Sequence, residues 1–380
     1  MKKAVKCAVA IIFAVGLCAG LCACESERQF LYTDLEHFGS AFKAVIYCSE
    51  ETFGVFEEKT DDILDELSAA FDENIPTSFI SRFNNAKSGE RTEIDGVCLK
   101  AFRIAEKAFA LTDGFYDPTA ANLVDLWGFS PRFYGVSKRT EEYDRVSDEN
   151  GAFPLPDNEY IEAFSSLVGL KEVAEVIESD GKTYIVKKKT AQAKGKTYEV
   201  KLDFGGIVKG LAVEKVTALC RELEIEKGYI SYGTSSLYLM KNASMSDWDL
   251  ALTNPRGENG EKTYFKTKLS SSSAATSGDY ERYYFVGGRR YSHIIDVKTG
   301  EPVNNGVCAV TVIGAGAGIG DCLATGLLAS GKETIIEFAY SDYAKENGIK
   351  IVAAFEEGDG MKVFTTVEEY ETLSGEEYER

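Results

Sequence analysis

Asp321 and Thr325 stand four residues apart in GDCLATGLL, a spacing that puts a carboxylate and a hydroxyl on one face of a helix. Both are hard oxygen donors of the kind Mg²⁺ accepts, with waters and phosphate oxygens completing its shell. The alternative is a threonine that bonds back into its own helix. A second group is KLDFGGIVKG, Lys201 to Gly210. An acidic residue, two glycines and a lysine at a strand-to-helix junction gather backbone N–H groups, a positive dipole end and a mobile cation, which suits a phosphate. The same ten residues also describe a structural turn with a solvated lysine, and the full phosphate-loop spacing is absent. A third group surrounds His293, one of two histidines in the chain, in YSHIIDVKTGEPV. Beside Asp296 it could act as a general base, or it could be a structural histidine on a strand. Finally, GFYDPT places Phe115, Tyr116 and Asp117 where aromatic rings could face a flat ligand, or where an aspartate before proline simply shapes a turn.

The elements that must position these residues follow from pattern. A short strand is expected over Tyr198–Leu202, and a helix from about Val208 through Leu211, Val216, Leu219 and Leu223. Helices are expected over Glu57–Phe71, Val97–Leu111, Glu159–Leu167 and Asp321–Ala329, with a loop or short helix over Ser78–Asn84. Strands are expected over Ala41–Cys48, Thr183–Val186, Gly228–Met240, Trp248–Leu252 and Val307–Ile313. Gly287-Gly288 marks a hairpin turn between Tyr283–Val286 and Arg290–Ile295. Hairpins with segregated helices predict an α+β fold.

The start of the chain reads as an export signal. Lys2, Lys3 and Lys6 precede an apolar run to Leu21, which ends at Leu-Cys-Ala-Cys with polar residues directly after Cys24. Residues 1–24 therefore resemble a bacterial lipoprotein signal, with Cys24 the lipidated residue. The chain would then be membrane-anchored on the extracytoplasmic face. Residues 25–36 are expected to be a tether, 37–380 one domain, and 130–157, polar with Gly and Pro, a mobile surface segment. The net charge of −19 argues against nucleic-acid binding. Of nine cysteines, four fall in the signal and five show no paired spacing, so buried free thiols are expected.

Taken together and in this order, GFYDPT…LVDLWGF, KLDFGGIVKG, ATSGDY, RYSHIIDVKTGEPV and GDCLATGLL resemble the ApbE family of FAD:protein FMN transferases, over nearly all of the chain after the signal. The resemblance implies an α+β, T-fold-like architecture. It implies FAD as substrate, Mg²⁺ as cofactor, and transfer of FMN through its phosphate to a Thr or Ser of an acceptor protein with release of AMP. It implies that Asp203 and Lys209 contact FAD, that Phe115, Tyr116 and Asp117 line its pocket, and that Ile295 packs on it. Mg²⁺ would lie among the Gly206 carbonyl, Asp321, Ala324 and Thr325, and His293 would be the catalytic base. Three positions depart from the family pattern. Phe38 stands where methionine is common, Tyr232-Gly233-Thr234-Ser235 replaces Leu-Gly-Gly-Asp/Asn, and Asn74 takes a position often held by tyrosine. Two other readings fit the same residues: a Mg²⁺-dependent FAD pyrophosphatase, and a lipoprotein that binds flavin without turnover.

Overall fold

The computed structural model describes residues 27–130, 155–257, 263–358, 360–372 and 376–377. The expected signal with Cys24, and all but the ends of the segment expected over 130–157, lie outside the described residues. No described helix is long and apolar enough to cross a membrane.

A nine-stranded sheet forms the backbone of the fold. Its first strands are β1 (Arg28–Asp34), β2 (Phe42–Cys48), β3 (Gly228–Tyr232), β4 (Ser236–Met240) and β5 (Ser272–Gly278). A separate hairpin follows, β6 (Tyr283–Val286) with β7 (Arg289–Ser292). The sheet continues through β8 (Val307–Ile313), β9 (Lys350–Glu357) and β10 (Gly360–Thr365), and a final short strand at Glu376–Glu377 pairs in parallel. The eight longer strands pair antiparallel in the order β1-β2-β3-β4-β5-β8-β9-β10. Strands segregated from helices make this an α+β fold, as the hairpin-rich sequence predicts.

The tether expected over 25–36 is corrected by β1. Phe30 and Tyr32 fall on one face of an extended segment, while Leu31 between them is exposed on the other. Phe30 stacks on Phe53 at 4.4 Å, Tyr32 is buried, and all seven residues pair with β2. The run 228–240, expected as one strand, is two strands joined by a turn at Gly233, whose φ of +56° favours glycine.

Three helices matter most for the site: α1 (Glu50–Phe71), α2 (Gly205–Glu222) and α3 (Ala317–Ser330). α2 begins at Gly205, three residues earlier than apolar spacing suggests, because Gly205 and Gly206 belong to its first turn. It is apolar on nearly every side and therefore lies inside, packed between α1 and α3. α3 is likewise buried along almost its whole length, against α2, β5 and β8. Gly210 permits this crossing: a Cβ there would stand 2.2 Å from the Ala317 carbonyl oxygen and 2.9 Å from Asp321 Oδ2.

Candidate active site

Asp321 is the centre of one wall. Its carboxylate is buried at 5% exposure and is held by neutral donors. The Gly210 N–H of α2 donates to Oδ2 at 2.8 Å, and Ser236 Oγ on β4 lies 2.7 and 2.6 Å from the two oxygens. Burial pushes its pKa up to about 6, against the pull of the Lys209 charge and these hydrogen bonds. One turn on, Thr325 Oγ1 donates to the Asp321 carbonyl at 3.0 Å, so the local helix bond is made, and it shares a 2.9 Å bond with Ser277 Oγ on β5. Ala324 is fully buried beside it.

The start of α2 closes this wall. Asp203 Oδ1 accepts from the Gly205 N–H at 2.6 Å, while its own N–H donates to the Pro118 carbonyl at 2.8 Å. No side chain of the N-cap residue, Phe204, caps the helix. The Gly206 carbonyl accepts from Cys322 Sγ at 3.5 Å, and a Cβ on Gly206 would come 3.2 Å from the Tyr116 ring. Tyr116 is thus packed beneath the α2–α3 junction, where burial and the neighbouring Cys322 push its phenol far above the usual value.

The opposite wall is the segment that follows β7. The His293 N–H donates to the Arg282 carbonyl at 3.0 Å, and its ring stands edge-on to Phe129 with centroids 6.4 Å apart. Its Nδ1 is buried without a hydrogen-bond partner. Burial first, then the Arg282 and Lys209 charges, lower its pKa to about 3, so the imidazole is neutral at physiological pH. The Lys209 charge bears on both Asp321 and His293, which puts both walls within reach of one cation.

Other sequence-predicted residues divide. Ile295 is buried in a short pairing with Pro302. Asp296 does not orient His293: its Oδ1 accepts from the Lys298 N–H at 2.9 Å within the turn that closes at Gly300. Asp117 is fully engaged. Oδ1 accepts from the Thr119 N–H and hydroxyl, and Oδ2 from the N–H groups of Gly169 and Leu170, so the carboxylate ties its own turn to the backbone at 169–170. Phe115 is half-buried with Lys298 Nζ 5.2 Å over its ring. Phe38 has a left-handed backbone, φ +51°, and sets its ring 6.4 Å from that of Tyr232. Asn74 is exposed, and its amide nitrogen and N–H both donate to Asp72 Oδ1 inside their own turn.

The motifs that flank the site are tied together. Trp127 Nε1 donates to the Gly300 carbonyl at 2.7 Å, its ring stacks on Tyr291 at 5.7 Å, and Arg282 donates to the Phe129 carbonyl at 3.0 Å. GFYDPT…LWGF and the His293 segment are therefore one physical unit. The sequence pattern of the ApbE family matches residues 38–350. The chain belongs to the ApbE family. It is 26% identical over 333 residues to the FAD:protein FMN transferase of Haemophilus influenzae, covering 86% of this chain and 88% of that one. It is 26% identical over 351 residues to the protein of the same name from Vibrio cholerae, covering 91% and 93%. The crystal structure of Pseudomonas stutzeri flavinyl transferase ApbE in its apo form superposes with a TM-score of 0.70 at 25% identity, covering 90% of this chain and 95% of that one.

Within this ApbE-family fold, sequence reasoning missed Ser236 and Gly210 as the partners of Asp321, and Cys322 as the partner of Gly206. Ser277 lies inside the ATSGDY motif and would have been found by asking which alternate residues of that strand face α3.

Proposed function

We propose that this chain transfers FMN from FAD to a Thr or Ser hydroxyl of an acceptor protein, in a Mg²⁺-dependent reaction that releases AMP. The observation that carries this reading is that the Lys209 charge reaches both a buried carboxylate, Asp321, and a neutral, partly buried imidazole, His293. Among the described residues no three His, Cys, Asp or Glu side chains cluster to hold a metal. The donor set instead fits Mg²⁺, which is content with one carboxylate, neutral oxygens and retained waters. Asp321 has its charge buried among neutral donors, and Thr325 and the Gly206 carbonyl are the oxygens of the same wall. Mg²⁺ bound there would supply charge neutralisation to the pyrophosphate and to the departing AMP.

The chain's own residues do the rest. The glycine start of α2 admits phosphate close to its N–H groups, and Lys209 offsets further negative charge. His293 takes the proton of the acceptor hydroxyl as that oxygen bonds to the FMN phosphorus and the bond to AMP breaks. Free of substrate it is a weak base, because burial, Arg282 and Lys209 disfavour its charged form. The anionic pyrophosphate opposes those cations, so its proton affinity rises when substrate is in place. Tyr116, Cys322, Ser236 and Gly210 fix the wall on which this happens. The lipid-modified Cys24 would hold the enzyme on the extracytoplasmic membrane face.

The deciding experiment incubates the mature chain with FAD and Mg²⁺, with and without an acceptor domain. AMP released only with the acceptor, with FMN attached to it, is the expected result. AMP released equally without acceptor would make the chain a pyrophosphatase, and tight FAD binding with no AMP would make it a binding protein. Cys24→Ala is expected to move the protein from the membrane to the soluble fraction.

A further inference from the structure

Four buried side-chain polar atoms without a hydrogen-bond partner among the described residues fall within five consecutive residues: Arg289 Nε, Arg290 Nη1, Ser292 Oγ and His293 Nδ1. His293 belongs to the candidate site. The other three line a groove of about 570 Å³ behind the β6–β7 hairpin. Ser292 is 1% exposed, so its hydroxyl has no water to turn to. A guanidinium donates and never accepts, so the missing partners must bring acceptor oxygens.

The floor of the groove is already complete. Arg256 binds Asp279 through two bonds of 2.7 and 2.6 Å and reaches Glu356 at 2.5 Å. Arg290 Nη1 stays 3.9 Å from Asp279, beyond hydrogen-bond range. The Arg290 guanidinium lies 4.2 Å over the Tyr283 ring and 5.5 Å from that of Phe285. Tyr283 and Phe285 are 44% and 50% exposed, Phe285 lines the groove, and arginine with solvent-facing aromatics is the composition of a binding surface. The groove shares a wall with the reaction site: Ser292 faces it, while the next residue, His293, turns to Phe129. Asp279 in the floor follows two residues after Ser277, which bonds Thr325.

Resting on the transferase reading above, we propose that this groove seats an acidic, extended segment of the acceptor protein next to its FMN-receiving hydroxyl. Arg256 is neutralised by Asp279 and Glu356 in the floor, and Arg289 touches Glu301 at 3.2 Å. The charge left to draw an acidic segment toward a chain of net charge −19 is that of Arg290 with the rest of the Arg289 guanidinium. Its volume suits a few residues of extended chain rather than a folded domain. Carboxylates and main-chain carbonyls would pair with the exposed parts of the Arg289 and Arg290 guanidinium groups. Side chains of the segment would pack on Phe285 and Tyr283, and the hydroxyl would cross the strand to His293.

The test is steady-state FMN transfer by the full mature chain to its acceptor domain. Arg290→Glu is expected to raise the acceptor KM about tenfold or more, weaken the salt dependence, and leave the Kd for FAD and kcat at saturating acceptor unchanged. Changing acidic acceptor residues within about ten positions of the receiving hydroxyl, the reach of an extended segment, to lysine should restore transfer by Arg290→Glu. Phe285→Ser, at an exposed position that folding does not need, should raise the same KM by about threefold to tenfold. An unchanged acceptor KM in both variants, or a loss that tracks the Kd for FAD, would overturn the seat. So would an Arg290→Glu effect reproduced by saturating the wild type with inorganic phosphate or AMP, because the groove would then be a small-anion site. Wild type that binds FAD but transfers nothing would instead overturn the transferase reading itself.

Discussion

The α2–α3 wall and the hairpin wall face one lysine and are built on opposite principles. On the α2–α3 side the named polar groups have partners: Asp321 takes Ser236 and Gly210, Thr325 takes Ser277, and the Gly206 carbonyl takes Cys322. On the hairpin side four buried polar atoms between Arg289 and His293 have none, and two large aromatic rings stand in water. A buried donor without a partner costs about 1–3 kcal/mol, so such a cluster is retained where something else completes it. The first wall holds its geometry before substrate arrives. The second is finished by what binds.

The largest effect should come from breaking the completed wall at its charge. Asp321→Asn is expected to cut Mg²⁺-dependent turnover by about a thousandfold or more, since it removes the one ionised oxygen ligand there. The same change should raise metal-free stability at pH 7.5. A carboxyl raised to about 6 in the fold is protonated more readily folded than unfolded, so its contribution falls as pH rises from 3.8 through 6. Removing that cost gains on the order of 2 kcal/mol, read as a higher Tm in EDTA. A lower metal-free Tm would show the carboxylate to be a structural asset.

His293→Gln probes the other wall and should slow transfer by about two to four orders of magnitude while FAD affinity holds. Its stability signature has the opposite sign to that of Asp321. With a folded pKa near 3, the unfolded chain binds the proton better, so the fold loses stability as pH falls below 6.5. His293→Gln should flatten that acid loss, and an unchanged acid profile would contradict the burial assigned to this ring. A smaller effect is expected from Gly210→Ala. A Cβ 2.2 Å from the Ala317 carbonyl must push α2 from α3, at about 1–3 kcal/mol, with a fall in Mg²⁺ affinity to match. Equal stability and equal Mg²⁺ affinity in the variant would mean the crossing is not set there.

These walls were unequally legible in the sequence. The Asp321–Thr325 face follows from helical periodicity, and α2 and α3 were visible as apolar runs entered through glycine. Ser236 was not, because its bond to Asp321 spans 85 residues and no local pattern records which strand lies under a helix. β1 was read as a tether since seven residues without clean alternation beside an export signal carry little weight until β2 is seen pairing with them. Asp117 and Asp296 look like ligands by type. In the fold, Asp296 Oδ1 takes the Lys298 N–H and Asp117 Oδ1 the Thr119 N–H, local bonds that aspartate makes readily in turns, while Asp117 Oδ2 reaches the distant Gly169 and Leu170 N–H groups. The orphaned atoms at 289–293 have no sequence signature, being defined by partners that are missing.

The contrast between a finished wall and a waiting one is most directly tested on the imidazoles, because the chain has two histidines. ¹⁵N-histidine NMR of the mature protein should show two well-separated titrations. His37 is half-buried, which lowers its pKa, but Asp34 at 2.9 Å and Asp65 at 3.3 Å outweigh this, so it should titrate above the ordinary value. His293 should stay neutral to below pH 5, and its ring nitrogens should shift toward the hydrogen-bonded, more basic state only when FAD, Mg²⁺ and the acceptor domain are added. A His293 that titrates near 6.5 in the free protein, or whose nitrogens ignore all three additions, would contradict it.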